Sequence, residues 1–440
     1  MSFAGRSVLV VGFGRSGLAA ARFLARRGAR VTVTDMRTEA ELHGAVRALG
    51  GAATLELGGH RAESFTSTDL VVLSPGVPPL PEIDAARRAG VEIVGEYELA
   101  CRQLRGTLVA ITGTNGKSTT TSLCGHLCAE LGRPLFVGGN LGTPLIEAAD
   151  GPAAGEDGLV IAEVSSFQLE TVRDAHAQVA ALLNVTEDHL DRYADMGAYG
   201  AAKQRVFLNQ TERDLAIVKG GLEAATRASV RRFASDQRAD AWLDGADLVI
   251  GETRYATSDL PLVGRHNHEN ALAAFLVARA VGVSQGAIRE RAKSFRPLPH
   301  RMEPAGEIDG VAFYDDSKAT NVGSVVGSLE GFVRPLVLIA GGRDKGGDYA
   351  PLVAVLRRRA RAVVLIGEAR ERIAAAIGDA LPIVVADDMP AAVRRARTLA
   401  QPGDAVVLSP ACSSYDMFEN FEERGRAFKA AVDALRKEAR

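Results

Sequence analysis

A short β-branched run, Leu108 to Thr112, leads directly into Gly113-Thr114-Asn115-Gly116-Lys117-Ser118-Thr119, and the residues from about Lys117 read as a helix. A strand, a glycine-rich loop and a helix in that order aim backbone N–H groups at one point, where the helix dipole also favours negative charge. Such a loop cradles phosphates: Lys117 neutralises the β and γ oxygens, and Ser118 or Thr119 can hold magnesium. It is not the usual phosphate loop, because Ile111 stands where that loop has its first glycine. The order of elements still implies ATP, and it commits this stretch to a parallel strand-and-helix architecture.

The same alternation of β-branched runs with alanine-rich amphipathic stretches continues through most of the chain, which predicts an α/β protein. With 440 residues the chain is too long for one ordinary core, and three domains are expected. A Rossmann-like N-terminal domain, residues 1–98, carries strands at Ser7 to Val11, Arg30 to Thr34, Leu70 to Leu73 and Val91 to Val94. A central P-loop-type ATPase domain, residues 99–296, carries Leu108 to Thr112, Gly158 to Glu163 and Val179 to Leu183. Antiparallel strands near Arg232, Trp242, Val249 and Tyr255 would make its sheet mixed. A C-terminal Rossmann-like domain, residues 297–440, carries Val311 to Tyr314, Leu336 to Ala340, Ala362 to Ile366, Ile383 to Val385 and Ala405 to Leu408. Prolines in Arg296-Pro297-Leu298-Pro299 stop a helix and stiffen the connection between the last two.

Charge and composition exclude several classes of function. The 52 basic and 54 acidic residues are interspersed, so no field gathers a nucleic acid. No run reaches the ~18 apolar residues of a membrane span, and no secretory leader is visible, so membrane insertion is not expected and the cytoplasm is. The four cysteines lack CxxC spacing, and Cys124 and Cys128, set among leucines, read as buried small hydrophobes. The expected protein is a monomer.

Two further constellations carry chemistry. Gly12-Phe13-Gly14-Arg15-Ser16-Gly17 lies between a strand and a helix, with Asp35 closing the next strand, which is a diphosphate-binding pattern and by itself also fits a dehydrogenase. Glu163 and His189 follow apolar strands, and ligands in open α/β sheets gather at the carboxyl ends of strands, so both can face a nucleotide's magnesium.

In order along the chain, Thr112 to Thr119, Gly138 to Gly142, Glu163 to Leu169, Asn184 to Tyr193, His266 to Ala271, Leu298 to Arg301, Asp316 to Asn321 and Leu408 to Phe421 resemble the Mur ligases over nearly the whole length. The resemblance implies three domains that bind, in turn, a UDP-sugar, ATP and an amino acid. Within the family it points to the activity that joins D-glutamate to UDP-N-acetylmuramoyl-L-alanine, in the synthesis of peptidoglycan precursors. It reassigns the first glycine motif to the UDP moiety, with Arg15, Ser16, Asp35, Arg37 and Ser74 facing uracil and diphosphate, and NAD not expected. Met36 departs from the hydroxyl residue often found there.

Residue by residue, the resemblance implies that Gly113, Thr114, Asn115, Gly116, Lys117, Ser118 and Thr119 bind ATP, with Asn267, Asn270, Arg301 and Asp316 completing the nucleotide site. Ser118, Glu163, His189 and a carbamylated Lys203 would hold two magnesium ions, and Lys117, Glu163, His189 and Lys203 would form the catalytic set. Asn140 and Ser165 would serve the UDP-sugar. Lys318, Thr320, Lys345, Ser414 and Phe421 would surround D-glutamate, and the loop Gly341 to Gly346 offers Arg343 as well as Lys345. The implied reaction passes through an acyl phosphate.

Overall fold

The computed structural model describes residues 2–262 and 264–438. Each β-branched run becomes a strand because its residues pack on both faces of a mostly parallel sheet, where helices cover the two sides. The first sheet holds β1 (Ser7–Val11), β2 (Arg30–Asp35), β3 (Thr54–Leu57), β4 (Leu70–Leu73) and β5 (Glu92–Gly95), in the parallel order β3-β2-β1-β4-β5. The order reverses between β1 and β4, and ligand crevices open at such switch points, outside the carboxyl ends of the strands. The Gly12 to Gly17 loop follows β1, and Ser74 follows β4.

The second sheet holds β6 (Thr107–Thr112), β7 (Leu135–Gly139), β8 (Leu159–Glu163), β9 (Val179–Leu182), β10 (Leu215–Lys219), β11 (Ser229–Ala234), β12 (Ala241–Asp244), β13 (Asp247–Ile250) and β14 (Thr253–Ala256). Its order is β14-β13-β12-β11-β10-β9-β6-β8-β7. The sheet is mixed, as expected, but the antiparallel part is smaller: β11, which contains Arg232, pairs parallel with β10 and β12, and only β12, β13 and β14 pair antiparallel. The strands β12, β13 and β14 at one end of the sheet are joined by short turns, which suit antiparallel pairing, whereas β11 is reached from β10 by a longer crossover.

The third sheet holds β15 (Glu303–Ile308), β16 (Val311–Asp315), β17 (Leu336–Gly341), β18 (Ala360–Ile366), β19 (Ile383–Val385) and β20 (Ala405–Leu408), in the order β15-β16-β20-β17-β18-β19. All its pairs are parallel except β15 with β16. Cys124, Cys128 and Cys412 are buried, and all four cysteines are free. No helix among the described residues is long and apolar enough to cross a membrane.

The first and second sheets are tied through the helix Glu96–Cys101. The buried Glu98 carboxylate accepts from the N–H groups of Arg173, Asp174 and Ala175 and from Arg102 Nε at 2.8 Å. Charge-assisted bonds of this kind anchor the segment after β8 to the end of the first unit. On the other side of the cleft, Arg15 donates to Gly142 O at 3.1 Å, and Arg192 to Val77 O at 3.0 Å.

The glycine motif after β1 is a packing device as well as a loop. A Cβ on Gly17 would lie 1.8 Å from Gly12 O, while one on Gly14 meets nothing within 4 Å. Gly17→Ala is therefore expected to destabilise the first unit by about 2 kcal/mol, the usual size of an overpacking effect. Calorimetry should show a lowered melting transition for that variant, with Gly14→Ala melting as the parent does.

Candidate active site

Three adjacent strands of the second sheet, β8, β6 and β9, deliver their carboxyl ends side by side. Glu163 closes β8, the loop 113–116 follows β6, and the run Asn184 to His189 follows β9. The loop is fixed to that last run by reciprocal bonds: Asn115 N donates to Asn184 Oδ1 at 2.8 Å, and Asn184 Nδ2 returns a bond to Asn115 O at 3.0 Å. Thr114 N donates to Asn184 O, and Thr186 N donates to Thr114 Oγ1, both at 3.0 Å. Gly116 adopts φ +83, and a Cβ there would sit 2.1 Å from Asn270 Oδ1. Only glycine satisfies both the left-handed backbone and that approach.

Two amines meet the carbonyl of Gly113. Lys117 Nζ donates to it and to Thr114 O, each at 2.8 Å, and Lys203 Nζ donates to it at 2.9 Å. Lys203 is 1% exposed, and its amine lies 4.4 Å from the centre of the Tyr199 ring. Burial, with Lys117 beside it, pushes the Lys203 ammonium far below its ordinary range. Lys117 is also lowered by burial, though Glu163 and Asp188 pull it back up.

Glu163 is 2% exposed, and its Oε1 accepts from Asn140 Nδ2 at 2.6 Å. Its Oε2 has no hydrogen-bond partner among the described residues. A buried carboxylate oxygen without a donor is costly unless a cation faces it. His189 has φ +57, stands edge-on to Phe167 with ring centres 4.8 Å apart, and is pushed down to about 4 by burial, with Lys345 and Lys117 nearby. Its imidazole is therefore neutral near pH 7, the form that ligates metals. Orphan carboxylate oxygen, neutral imidazole and buried hydroxyl at Ser118 together form a donor set that suits magnesium with a nucleotide.

Two clefts flank this set. One, of about 750 Å³, is lined by Arg15, Ser16, Asp35, Arg37 and Ser74 of the first unit, Asn140 of the second, and Lys318 and Phe421 of the third. In it the Asp35 carboxylate is already engaged, accepting from Phe13 N at 2.6 Å and from Arg37 N, Nε and Nη2. Met36 is 63% exposed at the same rim. The other cleft, of about 630 Å³, is lined by Asn115, Gly116, Thr119, Asn267, Asn270, Arg301 and Asp316. Asp316 accepts from Ser409 Oγ at 2.7 Å, and burial raises it to about 6.

The remaining sequence candidates fall into two groups. Lys345 reaches out of the third unit to Asp188 Oδ1 at 3.3 Å, whereas Arg343 pairs with Glu368 at 3.2 Å on the surface. The Lys318 amine lies 3.8 Å from the centre of the Phe421 ring, and burial lowers it to about 8. Ser414 is buried, and its carbonyl accepts from Met417 N and Phe418 N. Thr320 N donates to Lys318 O at 3.0 Å. Ser165 has a local task, because its hydroxyl caps the helix Ser166–Leu169 in a capping box with Gln168.

Sequence reasoning passed over Asp188, Asn321 and Ser324. Asn321 Nδ2 donates to Asp188 Oδ2 at 2.9 Å and to Asn115 Oδ1 at 3.1 Å, and Ser324 Oγ donates to Asn115 Oδ1 at 2.6 Å. Asp188 stays below the usual carboxylate range, because Lys345, His189 and Asn321 together outweigh the burial that raises it. The one signal was position, since Asp188 and Asn321 lie inside runs already singled out, Asn184 to Tyr193 and Asp316 to Asn321, whereas Ser324 lies outside them.

Family models match this chain in three consecutive pieces: the MurD-like N-terminal domain of Mur ligases at residues 6–95, the Mur ligase middle domain at 111–278, and the Mur ligase glutamate ligase domain at 300–412. The chain belongs to the Mur ligase family. Within it, the chain is 45% identical to a protein of Geobacter metallireducens over 99% of each chain, and 48% identical to one of Anaeromyxobacter dehalogenans over 97% of each. Both relatives carry the name UDP-N-acetylmuramoylalanine--D-glutamate ligase. Among solved structures, a pseudomurein peptide ligase type C from Methanothermus fervidus shares the fold, with a TM-score of 0.63 and 15% identity over 98% of this chain and 100% of that one. MurF ligase from Thermotoga maritima, solved with ADP, does so with a TM-score of 0.61 and 17% identity over 98% and 96%.

Because any side chain at position 116 collides with Asn270, Gly116→Ala is expected to weaken Mg·ATP binding about 100-fold, roughly 2.7 kcal/mol. Isothermal titration calorimetry measures it, and an unchanged dissociation constant would show that the loop does not hold the nucleotide.

Proposed function

We infer that this chain uses ATP to form the amide bond between the carboxyl group of UDP-N-acetylmuramoyl-L-alanine and the amine of D-glutamate. The observation that carries the reading is the meeting of Lys117 and Lys203 on Gly113 O, beside one cleft lined by residues of all three units, where Asn140 reaches Glu163, and a second lined by Asn115 and Gly116 of the same loop, in a chain whose full-length relatives bear that activity as their name. Residues 1–98 take the UDP-sugar, residues 99–296 take ATP, and residues 297–440 take the amino acid. A dehydrogenase is disfavoured, because the Asp35 carboxylate that would grip a ribose is spent on Phe13 N and Arg37.

A carboxylate does not condense with an amine in water unaided. The acceptor carboxylate attacks the γ-phosphorus of ATP, ADP leaves, and an acyl phosphate results. The D-glutamate amine then attacks the acyl carbon, and phosphate departs with one oxygen of the original carboxylate. Lys117, released from Gly113 O and Thr114 O, neutralises charge on the transferred phosphoryl group, which is where sites of this type gain most of their rate. Ser118, Glu163, His189 and Lys203 would hold two magnesium ions, which add positive charge at the same place. Asn267, Asn270, Arg301 and Asp316 enclose the nucleoside end. Lys345, with Thr320, Ser414, Lys318 and the backbone at Phe421, meets the carboxylates of D-glutamate. Arg343 is turned away with Glu368.

Lys203 serves this site as a carbamate. Carbon dioxide adds to the deprotonated amine, the form that burial and the neighbouring Lys117 favour, and with loss of one proton the product places an anion with hard oxygen donors near Lys117. All groups of the site come from one chain, so a monomer suffices, and four free cysteines suit a reducing cytoplasm.

Phosphate release is expected only when ATP, the UDP-sugar and D-glutamate are all present, with L-glutamate inactive. Oxygen-18 placed in the acceptor carboxylate should appear in the liberated phosphate, and its absence there would remove the acyl phosphate. Lys203→Ala is expected to lose at least about 100-fold in kcat, with short carboxylic acids restoring part of it. Full activity in that variant would dispose of the carbamate.

A further inference from the structure

The reach of Lys345 to Asp188 in the second unit poses a positional problem. A lysine is a flexible four-carbon stem with a point charge, so its ammonium goes wherever the backbone and nearby anions send it. The loop 341–347 after β17 carries an anion at the very next residue, Asp344, which would compete with any incoming carboxylate for that ammonium. Two sets of contacts meet the problem.

The first part of the loop is bound to the segment after β20. Gly341 N donates to Pro410 O at 2.9 Å, and Arg343 and Ser413 exchange N–H···O bonds at 2.9 and 3.1 Å. The second part is gripped by one guanidinium from the helix Arg370–Ile377. Arg372 Nη1 donates to Asp344 Oδ2, and Arg372 Nη2 donates to Gly347 O at 3.2 Å and to Gly346 O at 3.4 Å. The other oxygen of Asp344 accepts from the buried Tyr349 hydroxyl at 2.8 Å. One planar fork therefore holds the chain on both sides of residue 345, and Asp344 has both oxygens occupied away from the cleft. Lys345 is left to point at Asp188 in the second unit, 3.3 Å away.

We propose that Arg372 and Asp344 are positioning residues for Lys345, and that they set the affinity for D-glutamate without touching it. The proposal rests on the reading that Lys345 meets a carboxylate of that substrate. It separates two effects of Arg372: fixing the loop through the Gly346 and Gly347 carbonyls, and neutralising an anion next to Lys345. Removing Arg372 alone loses both and frees Asp344 to capture Lys345. Removing the Asp344 charge as well takes that competitor away, so the double variant should bind D-glutamate better than the Arg372 variant.

Steady-state phosphate release, with each substrate varied in turn, tests this on the intact enzyme. Arg372→Met is expected to raise KM for D-glutamate about tenfold, Asp344→Asn about threefold, and the pair together about threefold, a non-additive pattern typical of groups in direct contact. The kcat and the KM values for ATP and the UDP-sugar should stay within about twofold throughout, which a merely structural loss would not spare. Arg372→Lys, which keeps the charge but not the fork, should fall between parent and Arg372→Met. Additive losses in the double variant, or a fall in kcat with all three KM values displaced, would overturn the proposal. If Lys345→Ala raises KM for D-glutamate while Arg372→Met and Asp344→Asn do not, the positioning role is wrong and the carboxylate reading stands. If Lys345→Ala leaves that KM unchanged, the carboxylate reading fails and the proposal falls with it.

Discussion

One backbone carbonyl, that of Gly113, receives the amines of both Lys117 and Lys203. Two ammonium groups cannot share a buried acceptor cheaply, since burial and mutual repulsion both favour the neutral form. Burial and the neighbouring Lys117 push Lys203, 1% exposed against Tyr199, well below its ordinary range, while Glu163 and Asp188 pull the likewise lowered Lys117 back up. The arrangement exists only because β6, β8 and β9 are neighbours, which brings the phosphate loop, Glu163 and the Asn184 to His189 run to one edge. Sheet order is thus what converts residues from distant parts of the chain into a single electrostatic unit.

Much of this was legible in the sequence, and what was legible had a period. Strands such as β1, β4 and β20 coincide with their β-branched runs because parallel strands buried on both faces leave an unbroken apolar signature. The strands passed over, β3, β7, β10 and β15, fail that test for particular reasons: Thr54–Leu57 carries Glu56, Leu135–Gly139 ends in two glycines, and Glu303–Ile308 carries Pro304 and Gly306 on an antiparallel edge. Edge strands need only one apolar face, so their pattern is weak. β10 is apolar and buried, yet the more varied sequence around it hid its place in the sheet.

Site residues divide along the same line. The phosphate loop announced itself, since glycines, lysine and hydroxyls at fixed spacing have few other uses. Lys203 did not, because a helix lysine is ordinarily a solvated charge, and only the packing of residues 196–204 under the loop makes it buried. Ser165 has a further, local use: its hydroxyl caps a helix, which the following Gln168 signals. Asp188 and Asn321 have no periodicity at all, and their importance lies in a contact across 133 positions of sequence.

That contact bears on how the third unit is held against the second. Asn321 accepts from Ser324 N at 2.8 Å, so it caps the helix Val322–Glu330, and its amide nitrogen donates to both Asp188 and Asn115. The start of one helix in the amino-acid unit is therefore joined to the phosphate loop through a single side chain. Lys345 completes the connection on the other oxygen of Asp188. Asp188, buried, thus has one oxygen met by the Asn321 amide and the other by the Lys345 ammonium, both from the third unit, and a buried carboxylate stripped of such partners is strongly unfavourable.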